Sequence, residues 1–185
     1  MKRKFKSVSI HGNFPDNGNA VLVLSNHISW WDGFWMMHLN LSRLKRRFHF
    51  MMLEDQLRKN WYFQYSGGYS VKKKSRSLLE SLAYTSSLLE DKQNMVFMFP
   101  QGRIHSMHQH HISFENGVSR IIDQCSPNTQ IVFAANLIDY FSDAKPSLFM
   151  YIKTLRAEDL QTVPVETAYN KFYTRVLDNH KKKVS

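Results

Sequence analysis

The chain has 185 residues, 43% of them hydrophobic and 14% aromatic, which suits a single domain spanning 1–185 with a substantial core and excludes a disordered chain. Its one cysteine, Cys125, excludes an internal disulfide and fits a reducing compartment. A formal net charge of +10 fits an anionic partner, whether a membrane surface, an acidic carrier protein, a phosphorylated substrate or nucleic acid.

The apolar run Ala20–Leu24, bounded by Asn19 and Ser25, predicts a buried strand. Trp30–Leu44 reads as a helix, Phe48–Leu53 as a strand and Glu54–Phe63 as a short helix broken by Gly67-Gly68. Tyr69–Val71 is a brief strand. Leucines at 78, 79, 82, 88 and 89 predict a helix over Ser77–Glu90, with Ser75 or Ser77 as its cap. Met95–Phe99 is the next buried strand, ended by Pro100 and Gly102. A helix over Phe114–Gln124, strands at Ile131–Ala135 and Ser147–Ile152, and a terminal helix over Thr167–Lys182 complete the series. Strands alternating with helices give an α/β layered domain, a central sheet flanked by helices. The layering is better specified than the strand directions. No apolar run approaches the ~20 residues of a spanning helix, and no apolar signal core follows the basic N-terminus. The expected location is cytoplasmic, with peripheral contact at the inner face of a membrane.

Ser25-Asn26-His27-Ile28-Ser29-Trp30-Trp31-Asp32 follows the first predicted buried strand. Histidine can take a proton near neutral pH, and an aspartate can fix its tautomer and stabilise its cation. Five steps along a regular helix leave two residues roughly 140° apart. The pair therefore requires His27 in a turn before the helix and Asp32 in its first turn, with Asn26 or Ser25 bonding that turn.

Four ordered blocks resemble the glycerolipid acyltransferases, the family of 1-acylglycerol-3-phosphate acyltransferases. Asn26, His27 and Asp32 match the first block, Asn-His, four residues, Asp. Gly67, Val71 and Lys73 follow the second, with Lys in place of Arg. Phe99-Pro100-Gln101-Gly102-Arg103 stands where the family has Phe-Pro-Glu-Gly-Thr-Arg, and Phe114-Glu115-Asn116-Gly117-Val118 is similar to the helix start that follows. Ile131–Ala135 corresponds to the fourth block without its proline. The likeness runs from about Val21 to Ile152.

The resemblance implies direct transfer of a fatty acyl group from a coenzyme A or acyl carrier protein thioester to the hydroxyl of a lysophospholipid or related lipid-like acceptor. His27 would be the general base and Asp32 its support. Asn26, Gly67, Lys73, Gln101, Gly102 and Arg103 would bind substrate, with no metal and no cofactor beyond the donor. Gln101 lacks the family's carboxylate charge, and Lys73 is a point charge rather than a planar fork. Both departures bear on the acceptor more than on acyl transfer. The stretch ahead of the first block is short, which argues against an anchored reading.

The competing class is a non-catalytic basic module binding membrane surfaces or nucleic acid, although no nucleic-acid motif is present. A serine hydrolase would need a Gly-x-Ser-x-Gly elbow, which is absent, and Cys125 has no activating setting. His105, His108, His110 and His111 read as an exposed loop rather than a metal site. Trp30, Trp31, Phe34 and Trp35 divide between core and interface, with at least half in the core. Met36, Met37, Met51 and Met52 read as ordinary core.

Overall fold

A computed structural model describes residues 4–71 and 76–183, with side chains from residue 78 onward in the second stretch. The expected caps Ser75 and Ser77, and the expected substrate contact Lys73, lie outside the residues or side chains described.

The centre of the sheet is made from the two runs with the least polar sequence. β2 (Val21–Ser25) and β5 (Asn94–Met98) are buried at every position. They pair in parallel, Val21 opposite Met95 through Leu24 opposite Met98. Strands covered on both faces have no polar side to present, which is why these runs do not alternate. β3 (Arg47–Leu53) and β4 (Gly68–Val71) continue the sheet in parallel on one side. β6 (Gln130–Asp139) lies parallel to β2 on the other. β7 (Ser147–Arg156) turns back antiparallel to β6, and β1 (Ser7–His11) runs parallel to β7 at the edge. The order is β1-β7-β6-β2-β5-β3-β4, a seven-stranded mixed sheet flanked by helices in one layered α/β domain.

Successive strand residues point to opposite faces, so the sheet has two cores. One face buries Val21, Val23, Met95, Phe97, Val132 and Ala134 beneath α1 (Asp32–Leu39), through Trp35, Met36 and Leu39. The other buries Leu22, Leu24, Val96, Ile131 and Phe133 beneath α3 (Arg76–Leu88), α4 (Val118–Gln124) and α5 (Val165–His180). The short α2 (Glu54–Lys59) follows β3 and leads through a 3₁₀ turn, Trp61–Ser66, into β4.

Several element boundaries differ from expectation. The helix after Trp30 is regular only to Leu39. It widens to a π-turn over Asn40–Leu44, where the Asn40 side chain bonds both the N–H and the carbonyl of Arg46. β6 runs four residues past Ala135, because the polar Asn136 that interrupts the apolar run is held inside the sheet: its backbone N–H and carbonyl bond the Asn26 side chain and its side-chain nitrogen donates to the Ser25 hydroxyl, while its Oδ1 has no partner among the described residues. β7 extends with it to Arg156. The helix expected from Phe114 starts at Val118. Gly117 at φ 131° cannot continue a helix backwards, and a Cβ there would sit 3.1 Å from both Leu82 methyl groups. β1 was not expected from the sequence, although Ser7-Val8-Ser9-Ile10-His11 carries the alternation of a half-buried edge strand.

Candidate active site

β2, β5, β3 and β4 run parallel, so their C-terminal ends open on one rim of the sheet, where ligands of open α/β folds usually sit. The β2 end delivers His27 and the β5 end delivers Phe99 to Gly102. His27 is in the loop and Asp32 is the first residue of α1, as the five-residue spacing requires.

Asp32 Oδ2 lies 2.8 Å from His27 Nδ1 and also accepts the backbone N–H groups of Ile28 (2.7 Å) and Ser29 (2.9 Å). A carboxylate only accepts, so Nδ1 carries the proton and Nε2 keeps its lone pair. The ring stacks flat on Phe99, with centroids 3.7 Å apart and planes 4° apart. Its side chain is partly open to solvent, while Asp32 is fully buried. Burial raises the Asp32 pKa above its ordinary value, and the bonds from His27, Ser29 and Ile28 oppose that rise. The turn itself is pinned by Ser29, whose hydroxyl accepts the N–H of Trp31 at 3.1 Å. This was expected of Asn26 or Ser25, which face the other way.

Asn26 is fully buried. Its side-chain nitrogen donates to the Asn136 carbonyl at 2.9 Å and its oxygen accepts the Asn136 N–H at 2.7 Å. Asn136 in turn donates to the Ser25 hydroxyl at 3.1 Å. Asn26 is a strut that ties the His27 loop to β6 through both polar ends of its side chain. Asn136 was missed in sequence because a lone Asn in an apolar run has no motif around it.

Gln101 comes to the same place. Its side chain is buried and its Oε1 accepts the His27 N–H at 2.6 Å, while its Nε2 has no partner among the described residues. The His27 carbonyl accepts the N–H of His105 at 2.9 Å. The third block and the residues just after it thus hold the histidine backbone from both sides. Gly102 at φ 65° closes that turn, with its N–H on the Phe99 carbonyl. Arg103 is exposed and its Nε lies 3.2 Å from His105 Nε2.

Gly67 is not brought to the pair. Gly68 is level with Phe50, Phe97 and Val23 across the sheet, four residues short of His27, and Gly67 lies one residue further back. Its φ of 89° and the 1.9 Å separation that a Cβ would have from the Phe48 carbonyl give it a backbone reason to be glycine. Val71, at the other end of β4, reaches the rim.

His108, His110 and His111 are exposed in the 101–117 segment and His105 is partly buried. No group of three or more His, Cys, Asp or Glu among the described residues could hold a metal ion. Burial pushes the Cys125 thiol up, away from nucleophile chemistry. Met36 is core, whereas Met37, Met51 and Met52 are half-buried. A cavity of about 450 Å³ opens between Leu78, Leu79 and Leu82 of α3, the Phe114–Arg120 stretch and the start of α5. Its wall joins the third block through the Glu115 N–H, which donates to the Pro100 carbonyl at 2.7 Å.

A family model described as Acyltransferase matches residues 7–135. That stretch contains β2, the His27–Asp32 pair, the third block and Asn26. Residues 136–180, which supply Asn136, β7 and α5, lie beyond it. A search of curated proteins found no match to the chain. With the histidine, its buried carboxylate and the family match in one stretch of chain, the protein belongs to the glycerolipid acyltransferase family, which includes the 1-acylglycerol-3-phosphate acyltransferases, and is an acyltransferase.

Proposed function

We propose that the protein moves a fatty acyl group from a coenzyme A or acyl carrier protein thioester to a hydroxyl of a lysophospholipid or related lipid-like acceptor. The observation that carries this reading is the 2.8 Å contact between His27 Nδ1 and the buried Asp32 carboxylate, which leaves Nε2 as the free base. An alcohol holds its proton about as tightly as water does, with a pKa of roughly 15.7. Nε2 therefore takes that proton as the oxygen attacks the thioester carbonyl, and not before. The carbon–sulfur bond breaks, the ester forms, and the thiol leaves with a proton returned from His27. General-base assistance of this kind is worth about 10²–10⁴-fold. Asp32 stabilises the imidazolium during the step, and Phe99 fixes the ring plane. No residue of the chain is acylated, and no metal or other cofactor takes part.

Lys73 and Arg103 supply positive charge for an anionic head group or for the donor's phosphates. The reaction is placed in the cytoplasm, at the inner face of a membrane with an anionic surface. No described helix is long and apolar enough to cross a membrane.

The test supplies acyl-CoA and acyl-carrier-protein donors with a panel of lysophospholipids and other hydroxylated lipids to wild type and His27→Ala. Turnover by wild type with at least one pair, lost in the variant, supports the reading. No turnover with any pair, together with lipid binding unchanged in His27→Ala, supports the basic binding module instead.

A further inference from the structure

Large apolar side chains left in water are ordinary when scattered and informative when grouped. Twelve are exposed among the described residues, and five of them, Trp30, Phe34, Trp61, Tyr62 and Tyr65, belong to two adjoining elements. Trp30 and Phe34 flank the start of α1, with ring centroids 5.1 Å apart. Phe34 reaches Phe63 of the 3₁₀ turn at 6.5 Å, and Phe63 reaches Tyr62 at 4.7 Å. Trp61 and Tyr65 pack against each other at 5.9 Å. Trp30, Phe34, Phe63 and Tyr62 thus form one run of touching rings, and the Trp61–Tyr65 pair comes from the same 3₁₀ turn as Tyr62 and Phe63; Trp30 is 58%, Trp61 61% and Tyr65 83% exposed.

The core explains none of these positions. On α1 the helix seats itself through Trp35, Met36 and Leu39, and the 3₁₀ turn has no buried residue at all. Four of the five are tryptophan, which has an N–H, or tyrosine, which has an O–H. Such rings suit the headgroup level of a bilayer, where one end is apolar and the other wet. The surface also starts three residues from His27, and an acceptor lipid that need only rise from a bilayer must enter next to the base. Just before Trp61, α2 ends on exposed Arg58 and Lys59. Arg58 shares its charge with Glu54 at 2.7 Å, and Lys59 is balanced by exposed Asp55 on the same helix, so the attraction to anionic lipid comes from the +10 charge of the whole chain.

We infer that Trp30, Phe34, Trp61, Tyr62 and Tyr65 form the face by which the protein docks on an anionic phospholipid bilayer, with the His27 rim turned towards the lipid. This rests on the lipid-acceptor reading above. An acidic carrier protein is a poorer occupant, since it would seek lysine and arginine rather than bare rings.

The test uses the full chain without substrates. Wild type, Trp61→Ser/Tyr65→Ser and a control, Tyr84→Ser on the exposed side of α3, are floated with vesicles of phosphatidylcholine alone and of phosphatidylcholine mixed with phosphatidylglycerol. Circular dichroism first confirms that each variant is folded. Wild type is expected to float with the mixed vesicles, with its tryptophan emission shifted to the blue and quenched by brominated acyl chains. The double variant should bind at least about tenfold more weakly, the equivalent of about 1.4 kcal/mol, and Tyr84→Ser should bind as wild type does. Failure of wild type to bind any vesicle, equal binding by the double variant, or a wild-type dimer that the double variant dissolves would overturn the proposal. Acyl transfer between a short-chain donor and a water-soluble acceptor is assayed separately. Loss of that activity with vesicle binding intact would sink the catalytic reading and leave the surface standing.

Discussion

Replacing Asp32 by Asn tests the electrostatic part of the site with almost no change of shape. Three donors converge on Asp32 Oδ2, from His27, Ile28 and Ser29. The two backbone N–H groups force the oxygen of an Asn side chain into the same place. The tautomer of His27 is then preserved, and only the charge is lost. With about 4 Å between charge centres and an effective dielectric near 20, the lost attraction to the imidazolium is about 4 kcal/mol. That corresponds to a fall of about 10³-fold in kcat. Stability should move far less. The Asn nitrogen would take the place of Asp32 Oδ1, which already has no partner among the described residues. An unpaired buried donor costs about 1–3 kcal/mol, offset by removal of a buried charge.

The pH dependence has a definite sign. Burial raises the folded-state pKa of Asp32, so the group binds its proton more tightly in the folded chain. Its contribution favours folding below the unfolded pKa and is lost as pH rises through the folded one. The melting temperature of wild type should therefore gain on that of Asp32→Asn as pH is lowered from neutrality towards the ordinary carboxylate range. Steady-state kinetics at neutral pH and thermal melts over that range provide both readings. A folded Asp32→Asn enzyme within about threefold of wild-type kcat would refute the electrostatic role.

Asn26→Ala strands the N–H and carbonyl of Asn136 inside the sheet; about 2–4 kcal/mol should be lost, read as a melting temperature lower by roughly 2–4 °C for each kcal/mol. Gly67→Ala should destabilise by more than about 1 kcal/mol, since φ is positive and the Cβ meets the Phe48 carbonyl. Activity per folded molecule should survive that change, because Gly67 is far from His27 in register, and a variant that melts normally but is inactive would contradict this. Lys73→Ala should raise KM for phosphorylated acceptors and leave neutral ones untouched; an unchanged KM for phosphorylated acceptors would remove the phosphate assignment.

The central strands were legible because β2 and β5 are apolar at nearly every position, a pattern that survives any context. The first helix was legible through Trp35, Met36 and Leu39. The antiparallel return of β7 was not, since strand direction leaves no trace in a period of two. Nor was the start of α4, which depends on one glycine angle and its approach to Leu82. At the site, the His27–Asp32 pair was legible from its place after a strand and from the ordered blocks that resemble the family, since a His five residues before an Asp is weak evidence by itself. The hydrogen bonds by which Asn26 and Gln101 hold the His27 loop and backbone were not legible, because their partners are set by the fold and not by the motif. Asn136 was hidden because its partner is 110 residues away.

The central claim is that His27 is the base in acyl transfer. The most direct measurement is single-turnover transfer of a labelled acyl group from its thioester to a lipid hydroxyl, by wild type and by folded His27→Ala. The account predicts labelled ester from wild type, no label on the protein at any time, and a rate at least about 10²-fold lower in the variant. Transfer at an unchanged rate by His27→Ala, or label trapped covalently on the chain, would contradict it.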